Sequence, residues 1–215
     1  MVKEGYLFAA VPFVLGLSAI LVGRNRDSSI LFPLAGVLLL LALFILYFFR
    51  DPERVIPAVP NAVVSPADGR VVVVVDEAYN GRPGKRMSIF LAVWNVHVNR
   101  APMAGRISKL EYRPGRFYAA MRSRASAENE QNIFHLDTAT GEIVFKQIAG
   151  AIARRVVSWK SEGAVLARGE RIGIVRFGSR VDVWLPHDAE ILVRTGQHVA
   201  GGSSILAYWP PKGAQ

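Results

Sequence analysis

The dipeptide Gly178-Ser179, inside Arg176-Phe177-Gly178-Ser179-Arg180-Val181-Asp182, sets a hydroxyl beside a carbonyl that carries no Cβ. With that bulk removed, the backbone can bend and the hydroxyl can approach the carbonyl carbon. A bond of this kind can process itself, which would make the chain a precursor and convert Ser179 into a different functional group. Gly-Ser is also ordinary turn chemistry, so the other reactive groups have to be weighed with it.

Three further clusters could share a site. Ser65-Pro66-Ala67-Asp68-Gly69 puts a carboxylate in a turn ahead of a valine-rich run; Asp-Gly is equally a common hairpin turn. Asn95-Val96-His97-Val98-Asn99-Arg100 sets an imidazole at the end of an apolar stretch, where it is either a packed ring or a proton carrier near neutral pH. Gln147 to Arg155 ends in the pair Arg154-Arg155, suited to phosphate or carboxylate and equally to a solvated basic face. The chain has no cysteine, which excludes disulfides, thiolate metal sites and cysteine nucleophiles. Its four histidines, His97, His135, His187 and His198, include no pair at metal-ligand spacing, so no metal is expected.

The elements that position these groups fall into two regions, 1–54 and 55–215. Residues 5–23 and 30–49 are uncharged and apolar, separated by Arg24-Asn25-Arg26-Asp27-Ser28-Ser29. Each run has about the 17–25 residues a helix needs to cross a bilayer, and together they predict a helical hairpin that spans or dips into a membrane. Its start fits a cleaved signal peptide poorly. The basic residues Lys3, Arg50 and Arg54 on the open side of the hairpin lean toward a cytoplasmic globular part. From residue 50 onward there are 23 Lys+Arg and 15 Asp+Glu, a net +8. Beside a membrane anchor, that charge suits an anionic lipid surface; no nucleic-acid recognition motif accompanies it.

After a proline-rich linker, the text from Ala62 breaks into short Val/Ile runs punctuated by Gly, Pro and Asn. The expected strands are 70–76, 87–93, 105–112, 142–147, 152–159, 171–175, 181–185 and 190–193, a mainly antiparallel β-sandwich or barrel. Residues 116–132 read as a loop or short helix able to cover a site. Two echoes mark a quasi-repeat of lipoyl-like character. Gly163-x5-Gly169-x2-Ile172 matches Gly196-x5-Gly202-x2-Ile205, and Pro66-Ala-Asp-Gly69-Arg-Val matches Pro102-Met-Ala-Gly105-Arg-Ile. The second Gly-Ser step, Gly202-Ser203, falls within that repeat and reads as a turn.

Taken together, Phe48-Phe49-Arg50-Asp51-Pro52-Glu53-Arg54, Ser65 to Gly69, Asn95 to Pro102, Glu128-Asn129-Glu130-Gln131-Asn132, Gln147 to Arg155 and Arg176 to Asp182 stand in an order that resembles the short, membrane-associated phosphatidylserine decarboxylases. The resemblance implies a pyruvoyl enzyme that cuts itself between Gly178 and Ser179. It leaves a large chain, 1–178, paired with a small chain of 37 residues, 179–215. Ser179 Oγ would attack the Gly178 carbonyl with help from Asp68 and a histidine; elimination and hydrolysis would then leave a pyruvoyl group. Phosphatidylserine in the membrane would form a Schiff base with it and lose CO2 into that electron sink. His97 would reprotonate the carbon, and hydrolysis would free phosphatidylethanolamine. Arg100, Asn129, Arg154 and Arg155 are candidate substrate-binding residues.

One departure from the family pattern bears on these roles. Longer members carry two histidines three residues apart, and Arg100 occupies the second place here. Either His97 serves both reactions, or Asp68 acts in processing without a dedicated imidazole. Whether the precursor forms a homodimer is left open. The competing reading is a non-enzymatic, membrane-anchored lipoyl-like binding or adaptor module, for which Lys160 lacks a convincing carrier motif. A serine hydrolase would prefer a Gly-x-Ser-x-Gly elbow, which this segment is not.

Overall fold

In the computed structural model, residues 1–122, 124–151, 155–176 and 179–210 are described. The chain divides into two compact units, Met1–Glu53 and Arg54–Gln215. The first is a helical hairpin, α1 (Lys3–Asn25) and α2 (Leu31–Phe48), each long and apolar enough to cross a membrane. Small residues form the seam: Gly5, Ala9, Gly16 and Gly23 of α1 are buried, as are Ala35 and Ala42 of α2. A Cβ on Gly5 would come within 2.5 Å of the Phe49 Cβ, so glycine is what lets the two segments approach. Leu7, Val11, Val14, Leu21, Leu40 and Leu43 are left exposed. Small residues inside and large apolar ones outside is the pattern of helices that pack in lipid, and it makes the hairpin compatible with membrane association.

The second unit is mainly β. Its strands in chain order are β1 (Ala62–Val64), β2 (Gly69–Asp76), β3 (Gly84–Leu91), β4 (Val98–Arg100), β5 (Gly105–Arg113), β6 (Gln131–Asp137) and β7 (Glu142–Ile148). There follow β8 (Val156–Ser158), β9 (Val165–Leu166), β10 (Arg171–Val175), β11 (Ser179–Pro186), β12 (Glu190–Ile191), β13 (His198–Val199) and β14 (Ile205–Tyr208). A four-residue helix, α3 (Ala125–Glu128), precedes β6. Eight strands form a curled antiparallel sheet, a half-barrel, in the order β13-β2-β3-β11-β7-β6-β5-β9. Two three-stranded sheets, β1-β14-β12 and β4-β10-β8, pack against the same core. That core gathers the inward residues of alternating strands, such as Met87, Ile89 and Leu91 with Val181, Val183 and Leu185. Phe134 and Phe145 stack at 4.7 Å in its middle.

The sheet order is a quasi-symmetric palindrome. Strands β4 to β10 form one contiguous repeat, while β1 to β3 with β11 to β14 form the other around it. β5 pairs β9 as β2 pairs β13, and β4-β10-β8 matches β1-β14-β12. The glycine echoes are its joints: Gly163, Gly169, Gly196 and Gly202 all have φ between +76° and +95°, the left-handed region that favours glycine. Gly202-Ser203 therefore lies in a repeat turn. Gly69 and Gly105 occupy the same place in the two repeats, where a Cβ would lie 2.1 Å from the Phe90 carbonyl oxygen and 2.4 Å from that of Asp137. Strand β6 begins inside the stretch expected to be loop, and β1, β4, β9, β13 and β14 are too short to carry a periodicity of their own.

Candidate active site

Ser179 opens β11, opposite Leu91 of β3. By strand alternation it shares the inward face of Val181, Val183 and Leu185. It is fully buried, and among the described residues its Oγ has no hydrogen-bond partner. Leaving a buried hydroxyl unsatisfied costs about 1–3 kcal/mol, and such an atom in a native fold calls for an explanation. The inward face around it turns from apolar to amide: Asn132 Nδ2 donates to Gln147 Oε1 at 3.0 Å, and Gln147 Nε2 donates to Asn99 Oδ1 at 2.9 Å. All three side chains are buried. Gly173 makes room for the layer, because a Cβ there would meet Gln147 Nε2 at 3.0 Å and the Val157 carbonyl oxygen at 2.1 Å.

His97 is fully buried just before β4. Its carbonyl accepts from Val175 N–H at 3.2 Å, at the end of β10 and four residues ahead of Ser179. Nδ1 lies 2.9 Å from the Asn95 carbonyl oxygen. A carbonyl can only accept, so the neutral ring carries its proton on Nδ1 and its basic lone pair on Nε2. The described residues show no hydrogen bond from Asp68 to this ring. Asp68 accepts instead from Arg54 Nη2 through both carboxylate oxygens, at 3.0 and 2.8 Å, and from Gly201 N–H at 2.7 Å. Register carries Asp68 to the same end of the sheet: Arg70 pairs Phe90, and the next residue, Leu91, pairs Ser179. Two strand spacings, about 10 Å, separate the backbones of Gly69 and Ser179.

The remaining candidates divide. Buried Arg100 donates from Nη1 to the Gly169 carbonyl at 3.0 Å, and its N–H bonds the Pro66 carbonyl at 2.8 Å, beside Asp68. Buried Asn129 spends its amide on main chain: Oδ1 accepts from Tyr118 N–H at 2.9 Å, and Nδ2 donates to the carbonyls of Tyr118 and Ala149 at 2.9 and 2.6 Å. Arg155 is exposed, its carbonyl accepting from Arg176 N–H. Gly178, Phe177 and Arg154 lie outside the described residues.

The sequence model of phosphatidylserine decarboxylase matches residues 41–207. The chain belongs to the phosphatidylserine decarboxylase family. It is 54% identical over 176 residues to the phosphatidylserine decarboxylase proenzyme of Solibacter usitatus, covering 81% of this chain and 84% of that protein. The proenzymes of Cupriavidus pinatubonensis and Pelobacter propionicus are 46% and 44% identical. Those matches cover 95% and 93% of this chain, and 93% and 94% of theirs.

In this member of the phosphatidylserine decarboxylase family, the sheet's outer face supports β11 with charges that the sequence does not single out. Buried Asp182 accepts from Arg180 Nε at 2.5 Å and from Ser126 Oγ of α3, with Arg86 Nη1 at 3.7 Å. Arg180 and Arg86 both donate to Ser88 Oγ, at 2.7 and 2.8 Å. Lys146 sits over the rings of Trp184 and Tyr79 at 4.7 and 5.5 Å; burial pulls its pKa below the ordinary lysine value, against the pull of Asp182. Arg86 also binds Glu77, which holds that carboxyl below its usual range. Alternation along Ser179–Pro186 marks the two faces of β11, but only the strand pairing identifies who meets Arg180 and Asp182.

Proposed function

We propose that the chain decarboxylates phosphatidylserine to phosphatidylethanolamine, using a pyruvoyl group that it makes from its own Ser179. The observation that carries this reading is a fully buried serine hydroxyl without a hydrogen-bond partner among the described residues, at the head of a central strand, in a chain whose relatives are named proenzymes. A stable turn serine would be solvated or bonded. A buried hydroxyl with no partner among the described residues is available as a nucleophile.

In the processing step, Ser179 Oγ adds to the Gly178 carbonyl carbon as its proton leaves to a base. The C–N bond breaks with a proton to nitrogen, leaving an ester. Loss of the Ser179 Cα proton expels the Gly178 carboxylate, and water then replaces the residue's nitrogen, which leaves as ammonia. His97 Nε2 is the lone pair suited to these proton transfers, with the ring oriented by Asn95. Asp68, charge-paired with Arg54, acts as a fixed negative charge at that end of the sheet. The Asn132–Gln147–Asn99 layer fits a carbonyl-bearing group at position 179, since it offers amide groups where an apolar core would offer none. When present, a pyruvoyl group supplies a ketone that captures an amine and takes up the charge left by departing CO2. His97 then returns a proton to the substrate carbon. The hairpin anchors this catalytic part at the cell membrane, on the cytoplasmic side by the charge bias of its flanks.

Intact-mass spectrometry of freshly purified protein tests the reading. Two chains are expected, split before residue 179, with the small one blocked at its N-terminus. Ser179→Ala is expected to stay whole and to be inactive on phosphatidylserine. A wild-type preparation that decarboxylates while remaining a single unmodified chain would overturn it.

A further inference from the structure

Beyond the hairpin, the catalytic unit carries a surface suited to lipid. Two of its large apolar side chains stand well out in solvent, Trp94 at 68% exposure and Met121 at 62%. They are 27 residues apart in sequence yet line one groove, together with Arg70, Phe90, Gly196 and His198. The groove lies at the Ser179 end of the sheet: Phe90 pairs Arg180, the residue after Ser179, and Ala92 follows Leu91, the partner of Ser179. Single exposed apolar residues are common on soluble proteins. A tryptophan and a methionine converging on one rim from separate loops is a patch.

The charge around that rim selects the partner. Residues 116–128 contain three arginines, Arg116, Arg122 and Arg124, against one carboxylate, Glu128, while Arg113 just before them is paired with Glu111. Arg122 and Arg124 follow Met121, are exposed, and have no ion pair among the described residues. Arg70 adds a further guanidinium, bonded to the Gly196 carbonyl rather than to an acid. An amphipathic indole belongs at the headgroup level of a bilayer, and each nearby arginine adds about 1 kcal/mol of attraction to an anionic leaflet.

We propose that the Trp94–Met121 rim, with Arg70, Arg122 and Arg124, docks into the headgroup layer of an anionic phospholipid bilayer and turns the Ser179 end of the sheet toward its substrate. The proposal deepens the lipid decarboxylase reading and rests on it for the benefit of docking, though not for the docking itself. A tethered unit without the rim would meet the bilayer in many orientations. With it, the Ser179 end of the sheet is held at the level of the lipid headgroups.

The test uses the full chain reconstituted in phosphatidylcholine bilayers containing phosphatidylglycerol brominated near the top of its acyl chains. Bromine quenches tryptophan only on close approach. The wild type is expected to lose a share of its emission that Trp94→Phe does not lose, and high salt should reduce that share by screening. The triple change Met121→Ser, Arg122→Glu, Arg124→Glu should lower turnover of bilayer phosphatidylserine roughly tenfold or more and leave turnover of a dispersed short-chain analogue unchanged. Equal quenching of wild type and Trp94→Phe would overturn the docking, as would an equal drop on bilayer and dispersed substrate. If Trp94 is quenched but no lipid is decarboxylated, the rim stands and the proposed activity falls.

Discussion

Arg54 determines what Asp68 can do. A carboxylate bridged by one guanidinium nitrogen and a backbone N–H is held in one orientation, with its lone pairs engaged. In this arrangement it serves as the partner of Arg54 and an anchor for the turn at Gly201. Both side chains are mostly buried, at 18% and 15% exposure, so the pair is screened less than a surface ion pair. Arg54→Ala is expected to cost about 1–3 kcal/mol of stability by leaving that carboxylate short of a donor, and to make uncut precursor accumulate. Arg54→Lys should restore most of the stability and part of the cleavage, because a lysine keeps the charge but not the rigid fork. Chemical denaturation and gel quantification of precursor check the two effects separately. Cleavage at the wild-type rate in a destabilised Arg54→Ala would show the pair to be structural only.

At the scale of elements, the stretch before β6 shows where the sequence could be read and where it could not. Strands β2, β5, β7, β10 and β11 were legible from their Val/Ile runs because most of their inward residues are apolar. Strand β6 was not, since Asn132 occupies an inward position where the pattern calls for a hydrophobe, and Gln131 and His135 occupy its other face. The break in pattern marks the amide layer beside Ser179, so the site itself disguised the strand that builds it. The motifs containing Asp68, His97 and Ser179 were visible; the links Arg54–Asp68 and Ser126–Asp182 were not, because they join residues 14 and 56 positions apart. Asn129 is a candidate substrate contact whose amide also ties residues 118 and 149 together. Asn129→Asp keeps the acceptor and loses both donated bonds. It is expected to destabilise the fold by about 1–3 kcal/mol and to hasten tryptic cutting at Arg122 and Arg124. A raised KM with unchanged stability and unchanged proteolysis would instead support the substrate contact.

At the scale of the whole molecule, the proposed cut falls at a joint of the quasi-repeat. Residue 175 ends β10, the last strand of the inserted repeat, and residue 179 begins β11, the first strand of the resumed outer repeat. A break there falls between the described ranges of β10 and β11. The small chain then remains woven into the large one. β11 is hydrogen-bonded on one side to β3 and on the other to β7, β14 lies between β1 and β12, and β13 pairs β2. Val181, Val183, Leu185, Leu206 and Trp209 contribute to the shared core, and each such side chain contributes roughly 1.5–3 kcal/mol by burial. The two products are therefore expected to co-elute in gel filtration under native conditions, and to separate only in denaturant, in a transition coincident with the loss of β-sheet circular dichroism. Refolding of the separated chains should be much slower than refolding of uncut Ser179→Ala, because β11 must find its place between β3 and β7 as a free segment rather than as the continuation of β10. A small chain that leaves the native large chain in mild buffer would contradict this, and would mean that the inserted repeat and β1–β3 can close the sheet without the strand that carries residue 179.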